Sequence, residues 1–334
     1  MREGRLRSIA DIARLAGVSK STVSRALNDS SLIGQETKKR IAAIAKKHDF
    51  SPSTAARSLS TRSSKTVAFV NHAYSNECCV SDPFSLEIMG GVAVGLHELG
   101  YDMLVVQVQP DDTGWAGQYL ESGRVDGFIL MTSEKKRAHI DHLLAIGAPF
   151  IAWGMGSGAY CSVCGNNRLG GSLATQRLIS IGRSRIGFLG GPRDDLEVQE
   201  RYRGYTDALA AAGRGPEPSL AAFGEYAERS GERSVKELLD REPRLDALFA
   251  VSDLLAIAAI RVLHARGLRV PEDVAVVGYD DLHIASYVTP ALTTVRQNIP
   301  LAGKLLARDL IAYMQKGIVT CSTVPVELVI RASA

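Results

Sequence analysis

The segment Ser8–Leu27 reads SIADIARLAGVSKSTVSRAL and predicts two short helices joined by a tight turn. Ser8 can cap the first helix, because Asp11 stands three residues later, where a capping acid belongs. Gly17 ends that helix, since glycine tolerates the left-handed conformation that a helix end often needs. Ser19 is a good cap for the second helix. The segment therefore predicts a helix-turn-helix unit at the start of the chain.

The second of these helices has an inner and an outer face. Val23, Ala26 and Leu27 face inward at helical spacing. The outer face, made of residues three and four apart, holds Lys20, Ser21, Ser24 and Arg25. Such a helix can enter the major groove of DNA, where hydroxyls bond phosphates and arginine reads a guanine edge. An ordinary helical hairpin with a solvated polar face is the alternative that these twenty residues alone leave open.

Basic charge is concentrated at the start of the chain. Residues 1–65 carry 14 Lys and Arg against 5 Asp and Glu, whereas the rest carries 25 basic and 31 acidic residues. A basic head on an acidic body indicates that a polyanionic partner belongs to the head alone. The 46% hydrophobic and 22% charged residues are typical of a soluble globular protein. No window approaches the ~18 consecutive apolar residues of a membrane span.

The remainder of the chain alternates apolar runs with helical segments. The series begins with a strand over Thr66–Asn71, restarts with a helix over Leu169–Ile181, and ends with a strand over Ser322–Arg331. This alternation predicts an α/β fold of parallel sheets with helices on both faces. Two series of similar length imply two lobes. Because ligands sit at the carboxyl ends of parallel strands, we expect a small-molecule site between the lobes.

The pattern from Ile9 to Asn28 closely resembles the DNA-binding headpiece of the lactose/galactose-repressor (LacI/GalR) family. The resemblance continues to the last predicted strand through matching stretches at residues 82–84, 124–130, 185–192, 201–205, 277–281 and 289–295. It implies a helix-turn-helix headpiece over residues 1–50, a hinge helix and linker over 51–65, and a two-lobed effector-binding and dimerisation domain over 66–334. The fold implied for that last domain is the fold of periplasmic sugar-binding proteins.

The resemblance also implies which residues contact DNA. These are Ser8, Ser19, Lys20, Ser21, Thr22, Ser24, Arg25, Asn28, Thr37, Ser53, Ala56 and Leu59. The hinge segment 53–59 is shorter than the ~12–15 residues that helix propensity alone sustains, so it needs DNA and its dimer mate. Leu59 is the candidate wedge in the minor groove. A plain serine-rich linker is the alternative. Gly34 departs from the family, where a serine or threonine usually caps the third helix.

Effector contacts follow from the same resemblance. The positions are Asp82, Phe84, Trp153, Gln199, Arg201, Ser252 and Asp280. Asp280 stands where family members bind a ligand hydroxyl or amine. Gln199 occupies the place of a ligand-clamping arginine, although Arg201 is retained, and Gly165 replaces the usual aspartate before an asparagine. Few charged anchors together with carboxylates and an aromatic suit a neutral polyhydroxyl ligand such as a sugar.

No sequence pattern predicts catalysis. The glycine-rich stretches at 154–158 and 190–192 fit neither the phosphate-binding loop nor the dinucleotide fingerprint, and the seven histidines are scattered. Five cysteines suggest no disulfide framework. Zinc or redox chemistry at Cys78, Cys79, Cys161 and Cys164 is disfavoured, because adjacent cysteines rarely chelate one ion and the second pair lies in an extended segment. We expect no catalytic residues, no cofactor and no metal.

Two functions are compatible with these patterns. The first is a DNA-binding transcriptional regulator, expected to be a repressor, controlled by a sugar or alternatively by a purine- or nucleoside-type corepressor. The second is a solute-binding protein without DNA function, which the basic head and the missing signal peptide disfavour. For the first we expect a homodimer, since no leucine-heptad tail follows the last strand. Its partner is a pseudo-palindromic double-stranded operator, and its location is the cytoplasm, away from the membrane.

Overall fold

The structure is a computed structural model that describes residues 8–27, 30–50, 63–72, 82–109, 112, 114–131, 137–156 and 158–334. The chain divides into two compact units, residues 1–64 and 65–334. Each unit encloses hydrophobic clusters of its own. Within the described ranges, no helix is long and apolar enough to cross a membrane.

Three helices form the described part of the first unit: α1 (Ile9–Ala16), α2 (Lys20–Leu27) and α3 (Gln35–Lys47). The predicted caps are confirmed. Ser8 accepts the Asp11 N–H at 3.3 Å and donates its hydroxyl to the Asp11 carboxylate at 2.9 Å, and Gly17 ends α1 in the left-handed conformation (φ 62°). Buried side chains from all three helices close the core: Ile12, Ala13, Ala16, Val23, Ala26, Ile41 and Ala45.

The second unit is built on two six-stranded sheets, one in each lobe. The strands are β1 (Thr66–His72), β2 (Asp102–Val108), β3 (Gly127–Met131), β4 (Phe150–Trp153), β5 (Cys161–Gly165), β6 (Ile186–Gly190), β7 (Ala221–Phe223), β8 (Ala247–Ala250), β9 (Ala275–Asp280), β10 (Thr293–Gln297), β11 (Cys321–Val324) and β12 (Val326–Val329). The first sheet has the order β11-β5-β4-β3-β1-β2 and the second the order β12-β10-β9-β8-β6-β7. All strand pairs are parallel except β10 with β12. The predicted α/β architecture is confirmed.

Helices connect the strands and cover the sheets. They are α4 (Pro83–Glu98), α5 (Trp115–Glu121), α6 (Arg137–Ala145), α7 (Asn167–Ser180), α8 (Leu196–Ala211), α9 (Glu228–Arg241), α10 (Asp253–Ala265) and α11 (Ile299–Lys316). In the first lobe α4 packs closely on α11. A Cβ at Gly91 would lie 2.7 Å from the carbonyl oxygen of Pro300, so this approach requires glycine.

The chain passes between the two sheets three times. It crosses after β5 at Gly165, after β10 at Gln297, and at Pro325 between β11 and β12. The predicted single closing strand over Ser322–Arg331 is therefore wrong, because these residues form two strands in different sheets. Pro325 has no N–H for a continuous strand ladder, and it marks the break. Strand β10, whose residues Thr293–Gln297 alternate little in polarity, was also missing from the sequence prediction.

Candidate DNA interface and effector cleft

Helix α2 presents a polar face to solvent. Lys20, Ser21 and Arg25 are exposed, and we call these three residues the recognition face. Val23 and Ala26, on the opposite side of the helix, are buried in the headpiece core. A short helix fixed by buried side chains, with basic and hydroxyl groups outward, has the geometry of the recognition helix in helix-turn-helix proteins. The recognition face is therefore accessible to base edges and phosphates.

Hydroxyl groups cluster at the start of α2. Ser19 Oγ lies 2.7 Å from Ser21 Oγ and 2.8 Å from Thr22 Oγ1, and it accepts the Thr22 N–H at 3.1 Å. Because a helix N-terminus attracts anions, this cluster is suited to a DNA phosphate. Ser24 and Thr37 are half-buried. The remaining predicted DNA contacts lie outside the described residues and stay predictions: Asn28, Ser53, Ala56 and Leu59.

In the second unit, Asp280 ends strand β9 in an unusual backbone conformation. Its φ is 114°, and Asp281 has a φ of 59°, values that residues with side chains rarely adopt. Two ion pairs fix this turn, since Arg296 and Arg331 each donate to the Asp281 carboxylate at 2.6 Å. The Asp280 carboxylate in turn accepts an N–H of the Gln297 amide at 2.8 Å, and the residue is 6% exposed. Such strain is typical of a functional site rather than of an ordinary loop.

Arg201, on helix α8, is the cation of the same region. Its Nε donates to Asn167 Oδ1 at 2.8 Å and its Nη1 donates to the carbonyl oxygen of Val251 at 2.6 Å. The guanidinium lies 3.8 Å from the centroid of the Tyr279 ring. Because Arg201 is only 3% exposed, its charge depends on these contacts and on the nearby carboxylate of Asp280.

Asp280 and Glu197 are two of the carboxyl groups beside Arg201 that have raised pKa values. Burial raises the pKa of Asp280 to about 7, although the Arg201 charge and the hydrogen bond from Gln297 oppose this shift. Burial likewise raises the pKa of Glu197 to about 7, again opposed by Arg201. The Asp82 carboxylate raises the pKa of Asp280 further. These groups therefore exchange protons near neutral pH, and a ligand that donates hydrogen bonds to them favours their ionised forms.

The first lobe contributes an acid and an aromatic pair. Asp82 caps α4 by accepting the Ser85 N–H at 2.9 Å. The ring centroids of Phe84 and Trp153 lie 5.7 Å apart at an interplanar angle of 50°. Trp153 is buried and Phe84 is half-buried. Because Asp82 raises the pKa of Asp280, the acidic side chains of the two lobes interact electrostatically across the cleft.

The other two predicted effector residues have local partners. Ser252 Oγ accepts the Leu255 N–H at 3.3 Å and caps α10. The side-chain amide of Gln199 donates to the carbonyl oxygen of Arg193 at 3.0 Å, whereas Arg201, two residues later, is buried among the residues described above. The sequence prediction missed three residues of the cleft: Glu197, Tyr279 and Gln297. One signal existed, because Glu197 precedes Arg201 by four residues on α8.

The raised pKa values predict a pH dependence of stability. Asp280 and Glu197 titrate near 7 when folded, against ordinary values of 3.8 and 4.5. The folded protein therefore binds more protons than the unfolded chain in this window, so stability falls as the pH rises from about 5 to about 8. Thermal unfolding of the wild type and of Asp280→Asn across that range measures the effect. The melting temperature should fall less steeply in the variant, and parallel curves would contradict the assignment.

The described cysteines form no metal site. Cys161, Cys164 and Cys321 are free thiols, and the ranges that the structure describes hold no group of three or more His, Cys, Asp or Glu suited to a metal ion. Burial raises the pKa of the Cys164 thiol, which makes it a poor nucleophile at neutral pH. Cys78 and Cys79 lie outside the described residues.

Comparison with known proteins identifies the family. Residues 8–53 match the bacterial regulatory proteins of the lacI family, and residues 175–334 match the periplasmic binding protein-like domain. The transcriptional regulator CelR of Thermobifida fusca is 38% identical over 307 residues, which cover 90% of this chain and 89% of CelR. The chain belongs to the lacI family. The transcriptional repressor PurR of Haemophilus influenzae is 30% identical over 335 residues, 98% of either chain.

Solved structures of the lacI family have the same fold. The CelR–cellobiose complex is 34% identical, with a TM-score of 0.75 over 98% of this chain and all of that one. The lac repressor dimer bound to operator and the anti-inducer ONPF has a TM-score of 0.82 over 98% of each chain at 24% identity. Membership of the lacI family confirms the prediction of a DNA-binding transcriptional regulator with a helix-turn-helix headpiece. CelR and PurR are named as transcriptional regulators, not enzymes.

Proposed function

We propose that this lacI-family regulator represses transcription as a homodimer on a pseudo-palindromic operator, and that a sugar bound between its lobes controls the binding. The observation that carries this proposal is the buried cluster of Asp280 and Arg201 in a cleft that also receives Asp82 from the other lobe. The similar CelR is named with cellobiose bound, and the similar lac repressor with operator as a dimer. Because its partner is chromosomal DNA, we place the protein in the cytoplasm.

The chemistry of the cleft favours a neutral polyhydroxyl ligand. The carboxyl groups of Asp82 and Asp280 can accept hydrogen bonds from hydroxyl groups, and bonds to an ionised carboxylate are the stronger kind. Of the five N–H donors of Arg201, Asn167 and Val251 engage two in the described structure, and the others suit ligand oxygens. The half-buried ring of Phe84 offers an apolar surface for the C–H face of a pyranose.

A purine-type corepressor is the second candidate, because PurR is similar over 98% of the chain. A planar base donates through N–H groups that lie in one plane, whereas the hydroxyl groups of a sugar point in several directions toward the carboxylates of two lobes. The higher identity with CelR, 38% against 30%, also supports a sugar. We therefore favour a gluco-disaccharide of the cellobiose type.

Isothermal titration calorimetry of the full chain with cellobiose, glucose, hypoxanthine and guanine tests this choice. We expect cellobiose to bind with a dissociation constant of about 1 mM or below, and the bases to give no heat. Binding of a base without binding of either sugar would replace the sugar by the purine alternative. A gel shift with DNA from near the protein's own gene, with and without the bound ligand, then tests the regulatory role and tells induction from corepression.

The domain roles are proposed on the same basis. Residues 1–50 read the operator, residues 51–65 form a hinge helix on DNA, and residues 66–334 bind the effector and the second subunit. In this scheme Ser53, Ala56 and Leu59 contact DNA, and Leu59 is the wedge in the minor groove. A hinge this short needs its dimer mate and DNA to become helical, so the spacing of the two subunits controls operator affinity.

Replacing Arg25 by alanine is expected to relax the base preference at one base pair in each half-site. The exposed guanidinium on the recognition face suits the O6 and N7 atoms of guanine, and its loss should cost about 1–3 kcal/mol on the preferred operator. Fluorescence anisotropy with a panel of single-base operator variants measures this preference. Lys47→Ala, at the exposed end of α3, removes the same charge and is the control. If both variants weaken binding to all operator sequences equally, Arg25 contacts a phosphate.

A further inference from the structure

The three passages between the lobes converge at Gly165. A Cβ added to this glycine would overlap the side-chain oxygen of Gln297, which belongs to the second passage, and would lie 3.8 Å from Cγ1 of Val326 at the third. The φ of Gly165 is not in the left-handed region, so its backbone does not require glycine. What requires glycine here is the space that the Gln297 side chain occupies.

The Gln297 amide joins this space to the effector cleft. Its nitrogen donates to the Asp280 carboxylate at 2.8 Å, while its oxygen lies against Gly165. The residue is 2% exposed, and its buried oxygen has no hydrogen-bond partner among the described residues. An unpaired buried carbonyl costs free energy, so packing alone does not explain a glutamine at this position. The bond to Asp280 does.

We propose that Gln297 is the positioning residue of the Asp280 carboxylate. Its side chain occupies a space that Gly165, which has no Cβ, leaves open where the chain passes between the lobes. This space is enclosed by all three passages, because the Gln297 side chain and Val326 both lie against Gly165. The inference deepens the proposed function, because Asp280 is its effector contact, but it can be tested without any effector.

Several charged groups face Asp280 and must be separated from the effect of Gln297. Arg201 on α8 stabilises the ionised carboxylate, whereas Asp82 at the start of α4 and Glu197 on α8 destabilise it. Asp253 at the start of α10 is close to the same carboxylate and engages Thr294 and the Leu282 N–H. None of these four groups is among the nearest atoms that a Cβ at Gly165 would meet, so substitution at 165 acts on Gln297 without direct contact with them.

The experiment measures the pKa of Asp280 by carbon-13 NMR of the full chain labelled at aspartate carboxyls. The resonance of Asp280 is assigned by its absence from the spectrum of the Asp280→Asn variant. Gln297→Met, a substitution of similar length without a donor, should raise the pKa of Asp280 by about one pH unit, since a donor to the carboxylate favours ionisation. Gly165→Ala should raise it by a similar amount, because the added methyl group displaces the amide. Gly90→Ala, a helix position with open space around it, is the control and should leave it unchanged.

The double variant decides between positioning and general distortion. If Gly165→Ala acts only through Gln297, it produces no further shift in the Gln297→Met background. Additive shifts would mean that the methyl group disturbs Asp280 through the backbone. An unchanged pKa of Asp280 in Gly165→Ala would mean that Gln297 keeps its hydrogen bond even when the space beside residue 165 is filled. Either result overturns the inference.

Cellobiose titrations of the same variants separate this inference from the proposed function. If cellobiose binds the wild type, Gln297→Met and Gly165→Ala should each lower the affinity for cellobiose about fivefold or more, and Gly90→Ala should leave it unchanged. Where cellobiose does not bind the wild type, the proposed sugar is wrong, while the pKa measurements still decide whether Gln297 positions Asp280.

Discussion

Replacing Arg201 by methionine is expected to destabilise the protein more than any other substitution considered in the cleft, and increasingly so as the pH rises. Methionine fills a similar length without charge. The variant leaves the carbonyl oxygen of Val251 and the amide of Asn167 without their donor, and it leaves two carboxyl groups, Asp280 and Glu197, without their nearby cation. Breaking such a buried charged cluster costs about 3–5 kcal/mol.

The loss of stability in Arg201→Met should increase with pH. Arg201 lowers the pKa of both carboxyl groups, so its removal raises both values above about 7. At about pH 5.5 the carboxyl groups of Asp280 and Glu197 are protonated. The variant then loses only the stability that the hydrogen bonds of Arg201 and its contact with Tyr279 provide. At about pH 8 the wild type has ionised carboxylates paired with Arg201, whereas the variant must retain protons or bury unpaired charge. Urea unfolding at the two pH values measures the difference, which should be larger at about pH 8.

Arg201→Lys is the control variant that keeps the positive charge but loses the hydrogen-bonding geometry of the guanidinium. Lysine restores a cation but not the planar fork that reaches both Asn167 and Val251. We expect its stability loss to be nearly independent of pH. A pH-independent loss in Arg201→Met as well would show that the carboxyl groups do not depend on this guanidinium.

Much of the fold was predictable from local patterns. The helix caps at Ser8 and Gly17 depend on neighbours within a few residues, and the alternation of strands and helices follows from hydrophobic spacing. The closing strand was not predictable in this way. Val324 and Val326 look like one run, yet they belong to different sheets, because the chain must return across the lobes at Pro325. Sequence spacing carries no information about which sheet a short strand joins.

The cleft was predictable only where a residue resembles the family or bears a charge. Asp280 and Arg201 were both named from the sequence and lie together in the structure. The importance of Gln297 was not visible, since its role comes from Gly165, more than a hundred positions earlier in the chain. Tyr279 lies in a stretch that resembles the family, but only the packed structure shows its ring beneath the Arg201 guanidinium. Contacts between distant segments decide such roles.

Replacing Asp280 by asparagine is expected to remove the response to the effector while operator binding stays intact. Asparagine still presents an oxygen to the Gln297 amide, so the local structure is preserved. It lacks the charge that strengthens hydrogen bonds from ligand hydroxyls, and it places an N–H group where the ligand needs an acceptor. Loss of charge-assisted bonds of this kind should weaken effector binding about 100-fold.

Stability distinguishes this loss from unfolding. Because burial makes ionisation of Asp280 unfavourable, the variant at about pH 8 should be as stable as the wild type or more stable. Calorimetry with the sugar that binds the wild type measures affinity, and fluorescence anisotropy measures operator binding in the same preparation. Asp207→Asn, which breaks an exposed ion pair with Arg168 on the same lobe, is the matched control and should change neither. An Asp280→Asn variant with unaltered sugar affinity would remove this carboxylate from the effector site.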